Sequence, residues 1–161
     1  MSQCVEEKRN RCCYGIVGGL GALGAADVFF KLVKAMPASS GENQPEFIFE
    51  QHPFLEGGAP GGKSANQNGR KLCVFDMIRS FESRKVDAVI LPCFLSHTFL
   101  DELKSEVRMP IFNIMEALRD HIKRRHPTTR KLGVLASDYV RANRLFERYF
   151  TSDNWELGQL Y

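Results

Sequence analysis

Long apolar runs are missing from this sequence: every hydrophobic stretch meets a charge well before the ~20 residues a membrane-spanning helix needs. That excludes a helical membrane protein and predicts no membrane partner. Charge of one sign is also lacking. Twenty-two Lys and Arg against 19 Asp and Glu leave a net +3, too little for the basic face that nucleic acid demands, so no nucleic-acid partner is expected. The short basic cluster Lys123, Arg124 and Arg125 reads as the solvated end of a helix, where cations suit the dipole. Residues 1–11 are polar with no apolar core behind them, unlike a secretory signal, and are expected to be a flexible N-terminal tail. No CxxC pair joins any of the five cysteines (Cys4, Cys12, Cys13, Cys73, Cys93), and His52, His97, His121 and His126 are scattered. This pattern excludes a structural zinc site and leaves metal: none. An odd cysteine count predicts reduced thiols and a cytoplasmic protein.

What is present is an alternation of short apolar runs with amphipathic segments. Strands are expected at 12–17, 47–49, 86–91, 110–112 and 131–135. Helices are expected at 23–35, 71–85, 98–107, 115–125 and 139–150, the first stopped by Pro37. The spacing predicts that Leu23, Ala26, Phe29, Phe30 and Val33 form the buried face of the first helix, and Leu72, Phe75, Ile78 and Phe81 that of the second. A polar, Gly-rich loop is expected over 52–70. Five strands alternating with five helices define an α/β fold, a three-layer sandwich with a mainly parallel sheet and right-handed crossovers. Ligands in such sheets sit beyond the carboxyl ends of the strands, which directs attention to 18–24, 52–70 and 92–98.

Each of these segments carries a motif with two readings. Gly19-Leu20-Gly21-Ala22-Leu23-Gly24 matches GxGxxG between a strand and a helix, the setting of a dinucleotide-binding turn. The acid that should close the second strand ~20 residues on falls further away, at Glu50; otherwise the glycines only permit a tight turn and close packing. Gly57 to Ser64 matches GxxxxGK[ST], but Ala65-Asn66-Gln67-Asn68-Gly69 after it forms helix poorly, which favours a flexible active-site loop over a phosphate cradle. Leu91-Pro92-Cys93-Phe94-Leu95-Ser96-His97 ends the most buried strand. A thiol there points into the crevice, with a helix starting near Thr98 turning its positive end towards it. The alternative is that Cys93 is a small buried hydrophobe, as the other four cysteines are expected to be structural.

These motifs together resemble the aspartate/glutamate racemase family. Tyr14 to Gly21 looks like its GI-GGMGP turn, with Ala22 at the proline position. Cys93-Phe94-Leu95-Ser96-His97 looks like its CNTAH motif, and Lys131 to Ser137 like the strand that opens its second half. The resemblance runs from about Tyr14 to Tyr149. It implies a flavodoxin-like racemase lobe at 12–127 and the start of a second, incomplete lobe at 128–161. It implies racemisation of an amino acid or related carboxylate without pyridoxal phosphate or any other cofactor (cofactors: none). Two cysteines would serve as the base and acid of α-proton transfer. Cys93 matches the first; the second lies in the family's later half, so a C-terminally truncated member is expected, a homodimer being allowed by family analogy. The substrate site implied comprises Gly19, Leu20, Gly21, Ser64, Asn66, Phe94, Leu95, Ser96 and His97, with Arg70 a further polar neighbour. Where the family holds the substrate carboxylate with Asn and Thr, this sequence has Phe94 and Leu95. The same fold hosts hydantoin racemases, maleate isomerases and a one-cysteine decarboxylase. Two other readings stand beside it: a nucleotide-binding module built on the Gly-rich turns, and a non-catalytic binder of small carboxylates.

Overall fold

The computed structural model describes residues 11–18, 21–36, 44–52, 62–151 and 155–159, with only the backbone described over 62–67. The expected tail thus lies almost wholly outside the described residues. In chain order the elements are β1 (Cys13–Val17), α1 (Ala22–Ala35), β2 (Glu46–Glu50), α2 (Gly62–Ser83) and β3 (Ala88–Ile90). A 3₁₀ turn (Phe94–Phe99) leads into α3 (Leu100–Glu106), followed by β4 (Ile111–Phe112), α4 (Ile114–Arg125), β5 (Lys131–Val134), α5 (Asp138–Ala142), α6 (Leu145–Phe150) and β6 (Glu156–Gln159).

β1 to β4 form one sheet in the order β2-β1-β3-β4, and every pairing in it is parallel. From β1 the chain crosses outward to β2, then back over β1 to β3. With right-handed crossovers this puts α1 on one face and α2 with α3 on the other. Alternation along β1 fits that arrangement: Cys13 and Val17 join Val74, Met77, Ile78, Phe81, Leu100 and Leu103 in the larger core cluster. Tyr14 faces the other way, in ring contact with Phe47 of β2, which also meets Phe29 of α1.

β5 pairs with β6, not with β4, in a separate parallel two-stranded sheet. It has its own core of Met115, Val140, Leu145, Phe150 and Trp155, and Leu95 packs against both clusters. The expected helix 139–150 is broken into α5 and α6 at Arg144, whose φ of 49° is left-handed. A non-glycine residue there costs on the order of 1 kcal/mol. The break lets Val140 on one piece and Leu145 and Phe150 on the other face the same cluster.

Two helical faces differ from the expected ones. On α1 the side turned inward carries Ala25, Val28, Phe29 and Leu32, while Leu23 is 88% exposed and Phe30 and Val33 are also exposed. The helix has apolar residues on two stripes, and spacing alone cannot say which one meets the sheet. On α2 the buried stripe is Val74, Met77, Ile78 and Phe81, with Leu72 exposed. α2 also starts at Gly62, inside the expected loop, so the weak helix formers 65–69 are helical. Once a nucleus exists each further residue adds a backbone hydrogen bond, and the firmly packed stretch from Val74 to Phe81 supplies that nucleus.

Gly15 shows how closely α2 lies on the sheet: a Cβ there would come within 2.6 Å of the Phe81 ring. Phe81 is wholly buried and cannot swing away. Gly15→Ala is expected to lower stability by about 1–3 kcal/mol, the usual cost of overpacking. Urea melts should detect this, and Phe81→Leu in the Gly15→Ala background should recover part of the loss.

Candidate functional site

The strand order reverses between β1 and β3, so the chain leaves their carboxyl ends in opposite directions and a crevice opens there. A cleft of about 360 Å³ occupies that place, within the range of small-ligand sites. Its lining comes from four parts of the chain. Val17, Gly18, Gly21, Gly24 and Ala25 come from the end of β1 and the first turn of α1, and Arg70 from α2. Pro92, Cys93, Phe94 and Leu95 follow β3, and Leu135, Ala136, Ser137, Val140 and Phe146 come from the β5–α5–α6 segment.

The polar parts of this lining are few. Among the described residues of the cleft, Cys93 is the one thiol and Arg70 the one cation, and no carboxylate or imidazole joins them. The first turn of α1 contains no acidic residue, so no side chain of that turn offsets the positive potential of its amide end. Gly21 and Gly24 have nothing within 4 Å of where a Cβ would stand. Close packing therefore does not explain these two glycines; they keep the mouth of the turn open. Gly18 is different, since a Cβ there would lie 2.3 Å from the Gln51 Oε1. Ser137 caps α5, accepting a long 3.5 Å hydrogen bond from the Val140 amide.

Cys93 is half-buried at the start of the 3₁₀ turn. The regular α-helix expected from Thr98 begins at Leu100 instead. Behind the turn lies His97, 1% exposed. Its Nδ1 is 3.0 Å from the Cys93 carbonyl oxygen, and its Nε2 accepts from the Ile114 amide at 3.2 Å. The first contact requires a proton on Nδ1 and the second a bare Nε2, so the pair defines one neutral tautomer. Burial pushes the His97 pKa below its ordinary 6.5, only partly opposed by hydrogen bonds to the Cys93 and Phe112 backbone, and Lys104 adds to the lowering. Arg148 Nη2 donates to the Thr98 carbonyl at 3.2 Å, fastening the same turn to α6.

The expected site residues separate accordingly. Gly21, Cys93, Phe94 and Leu95 meet in the cleft, whereas Ser96 and His97 are buried and absent from its lining. Gly19 and Leu20 lie outside the described residues. Ser64 and Asn66 fall in the first turns of α2, where only the backbone is described. The loop that begins the GxxxxGK[ST] match also lies outside. Glu50 is engaged elsewhere: its carboxylate accepts from Ser80 Oγ at 2.9 Å, meets His52 Nε2 at 2.8 Å and lies 3.8 Å from Arg84. Of the other cysteines, Cys13 is in the core, and Cys73 lies on α2 with its pKa raised by burial and then by Asp76.

The crevice of this parallel α/β lobe thus gathers a thiol at the β3 edge, the Arg70 side chain and the first turn of α1. The Asp/Glu/Hydantoin racemase family model matches residues 17–156, most of the chain, and the chain belongs to that family. Similar solved structures include an aspartate racemase of Picrophilus torridus (TM-score 0.75, 14% identity, covering 92% of this chain and 62% of that one). Others are an aspartate racemase homologue from Pyrococcus horikoshii (0.72, 18%, 92% and 64%) and a glutamate racemase from Campylobacter jejuni (0.65, 16%, 92% and 56%). The chain thus spans less than two thirds of each of these, and at such identities the likeness is one of fold.

Because the fold holds His97 neutral, the unfolded chain binds more protons below pH 6.5, and stability falls as pH drops through that value towards the lowered native one. His97→Gln is expected to cost about 1–3 kcal/mol by leaving the Ile114 amide without its acceptor. It should also flatten this dependence, which denaturant melts between about pH 7 and 5 would read.

Proposed function

We propose that this chain supplies a racemase-type lobe in which Cys93 moves the α-proton of an amino acid or related carboxylate, without pyridoxal phosphate or another cofactor. The observation that carries the reading is the cleft's lining, where Cys93 is, among the described residues, the one thiol and no carboxylate or imidazole stands beside it. Its thiolate would take the proton from Cα, leaving the bond's electron pair on carbon, delocalised into the substrate carboxylate. The charge that develops there needs stabilisation, and Arg70 and the first turn of α1 line the same cleft. The thiol then returns a proton to carbon. With one thiol the return comes from the face that was attacked, so the α-hydrogen exchanges with solvent and configuration is retained. Inversion needs a second acid on the opposite face.

Further parts of the reading are a division near residue 127 between the first lobe and a second one, a cytoplasmic setting, and self-association into a dimer. The division is supported by the two sheets, whose strands separate between β4 and β5, while α4, before that boundary, gives Met115 to the second core. The setting is supported by Cys12, Cys13, Cys73 and Cys93, which form no disulfide among the described residues. The dimer rests on family analogy. No helix among the described residues is long and apolar enough to cross a membrane.

The test is incubation of the chain in deuterated water with a panel of L- and D-amino acids, followed by mass spectrometry and chiral chromatography. Deuterium should enter at Cα, and Cys93→Ser should slow its entry by roughly 100-fold or more, the scale of a lost general base. Exchange that survives unchanged in Cys93→Ser, or none with any amino acid, would remove the proposal.

A further inference from the structure

Building on the proton-transfer reading, we infer that the cleft selects a monoanionic carboxylate carrying an apolar, ring-sized substituent in preference to a dicarboxylate. The two sides of the cleft differ in chemistry. One, made by the α1 turn and α2, carries the amide end of α1 and Arg70. The other is a largely apolar wall of Phe94, Leu95, Leu135, Val140 and Phe146, with Ser137 the one hydroxyl among its described residues. Cys93 stands between them, because β3 neighbours β1 in the sheet and the turn after β3 packs on the later helices.

A substrate whose Cα meets the thiol and whose carboxylate turns to the cationic side has its remaining substituent against that wall. A second carboxylate there would lose its water and meet, among the described residues of that side, the Ser137 hydroxyl as the one side-chain donor, which replaces little of its hydration. The wall is also fixed in place. The Phe94 and Phe146 ring centroids are 5.6 Å apart, and Phe146 stacks on Phe150 at 6.1 Å, itself 5.3 Å from Trp155. Phe94 keeps 40% of its surface exposed, and Leu135 keeps 82%, so apolar area remains there for a ligand to cover. Offset aromatic contact is the interaction such a surface offers best.

Binding of unreactive acids to the full chain, followed by calorimetry or ligand-observed NMR, tests this apart from turnover. 3-Phenylpropionate is expected to bind roughly tenfold tighter than succinate, since covering a ring adds apolar burial that a carboxylate does not. Phe94→Asn and Leu135→Asn, at exposed positions and verified as folded by circular dichroism, should each reduce that preference, and the pair should abolish it. Succinate binding as tightly as 3-phenylpropionate, or a preference untouched in the double variant, would overturn the inference. The preference without exchange of phenylalanine would support the apolar wall while removing the thiol chemistry. Exchange of aspartate together with tighter succinate binding would overturn the wall and keep the thiol.

Discussion

A single buried imidazole holds together the part of the molecule on which everything else depends. His97 donates to the Cys93 carbonyl and accepts from the Ile114 amide, so the turn bearing the thiol and the start of α4 are set by one side chain. The Cys93 carbonyl also accepts from the Ser96 amide at 3.2 Å within the turn, whereas the Ile114 amide, at the first position of α4, relies on the imidazole, and a buried polar group without a partner costs about 1–3 kcal/mol. Arg148 ties the same turn to α6. The half-buried thiol is thus placed by bonds made behind it, away from the cleft, and its own side chain remains uncommitted to structure.

The same turn joins the two cores. Leu95 packs against both, and Phe94 reaches Phe146. The cleft is therefore bounded on one side by the four-stranded sheet's glycine turn and on the other by residues from β5 onward. A parallel sheet with a reversal in its strand order creates the crevice. The second cluster gives it an apolar far side, which the sheet alone would not.

Much of this was legible in the residues. The apolar run over 86–91 marked a strand buried on both faces, and the position of Cys93 just past it marked the sheet's carboxyl edge. Family motifs placed the glycine turn, the cysteine turn and the later strand in the right order. What spacing could not convey was direction. α1 carries apolar residues on two stripes, and only the sheet's position selects Ala25, Phe29 and Leu32 over Leu23 and Phe30. The start of α2 was hidden because local propensity at 65–69 is weak, while helix propagation depends on packing further along. Arg70, Ser137 and Phe146 reach the cleft from segments distant in sequence. Only Ser137 had a signal, as the end of a strand whose edge the crevice rule points to. The pairing of β5 with β6 instead of β4 depends on contacts made by α5 and α6, which no short pattern encodes.

The row of rings from Phe94 through Phe146 and Phe150 to Trp155 has an optical consequence. Trp155 is the chain's one tryptophan, buried, with its Nε1 donating to the Thr129 carbonyl at 2.9 Å. The ultraviolet emission of this protein therefore originates from one indole in one environment. That indole is three ring contacts from the cleft's outermost aromatic, so the molecule carries its own chromophore at the inner end of the wall its ligand would touch.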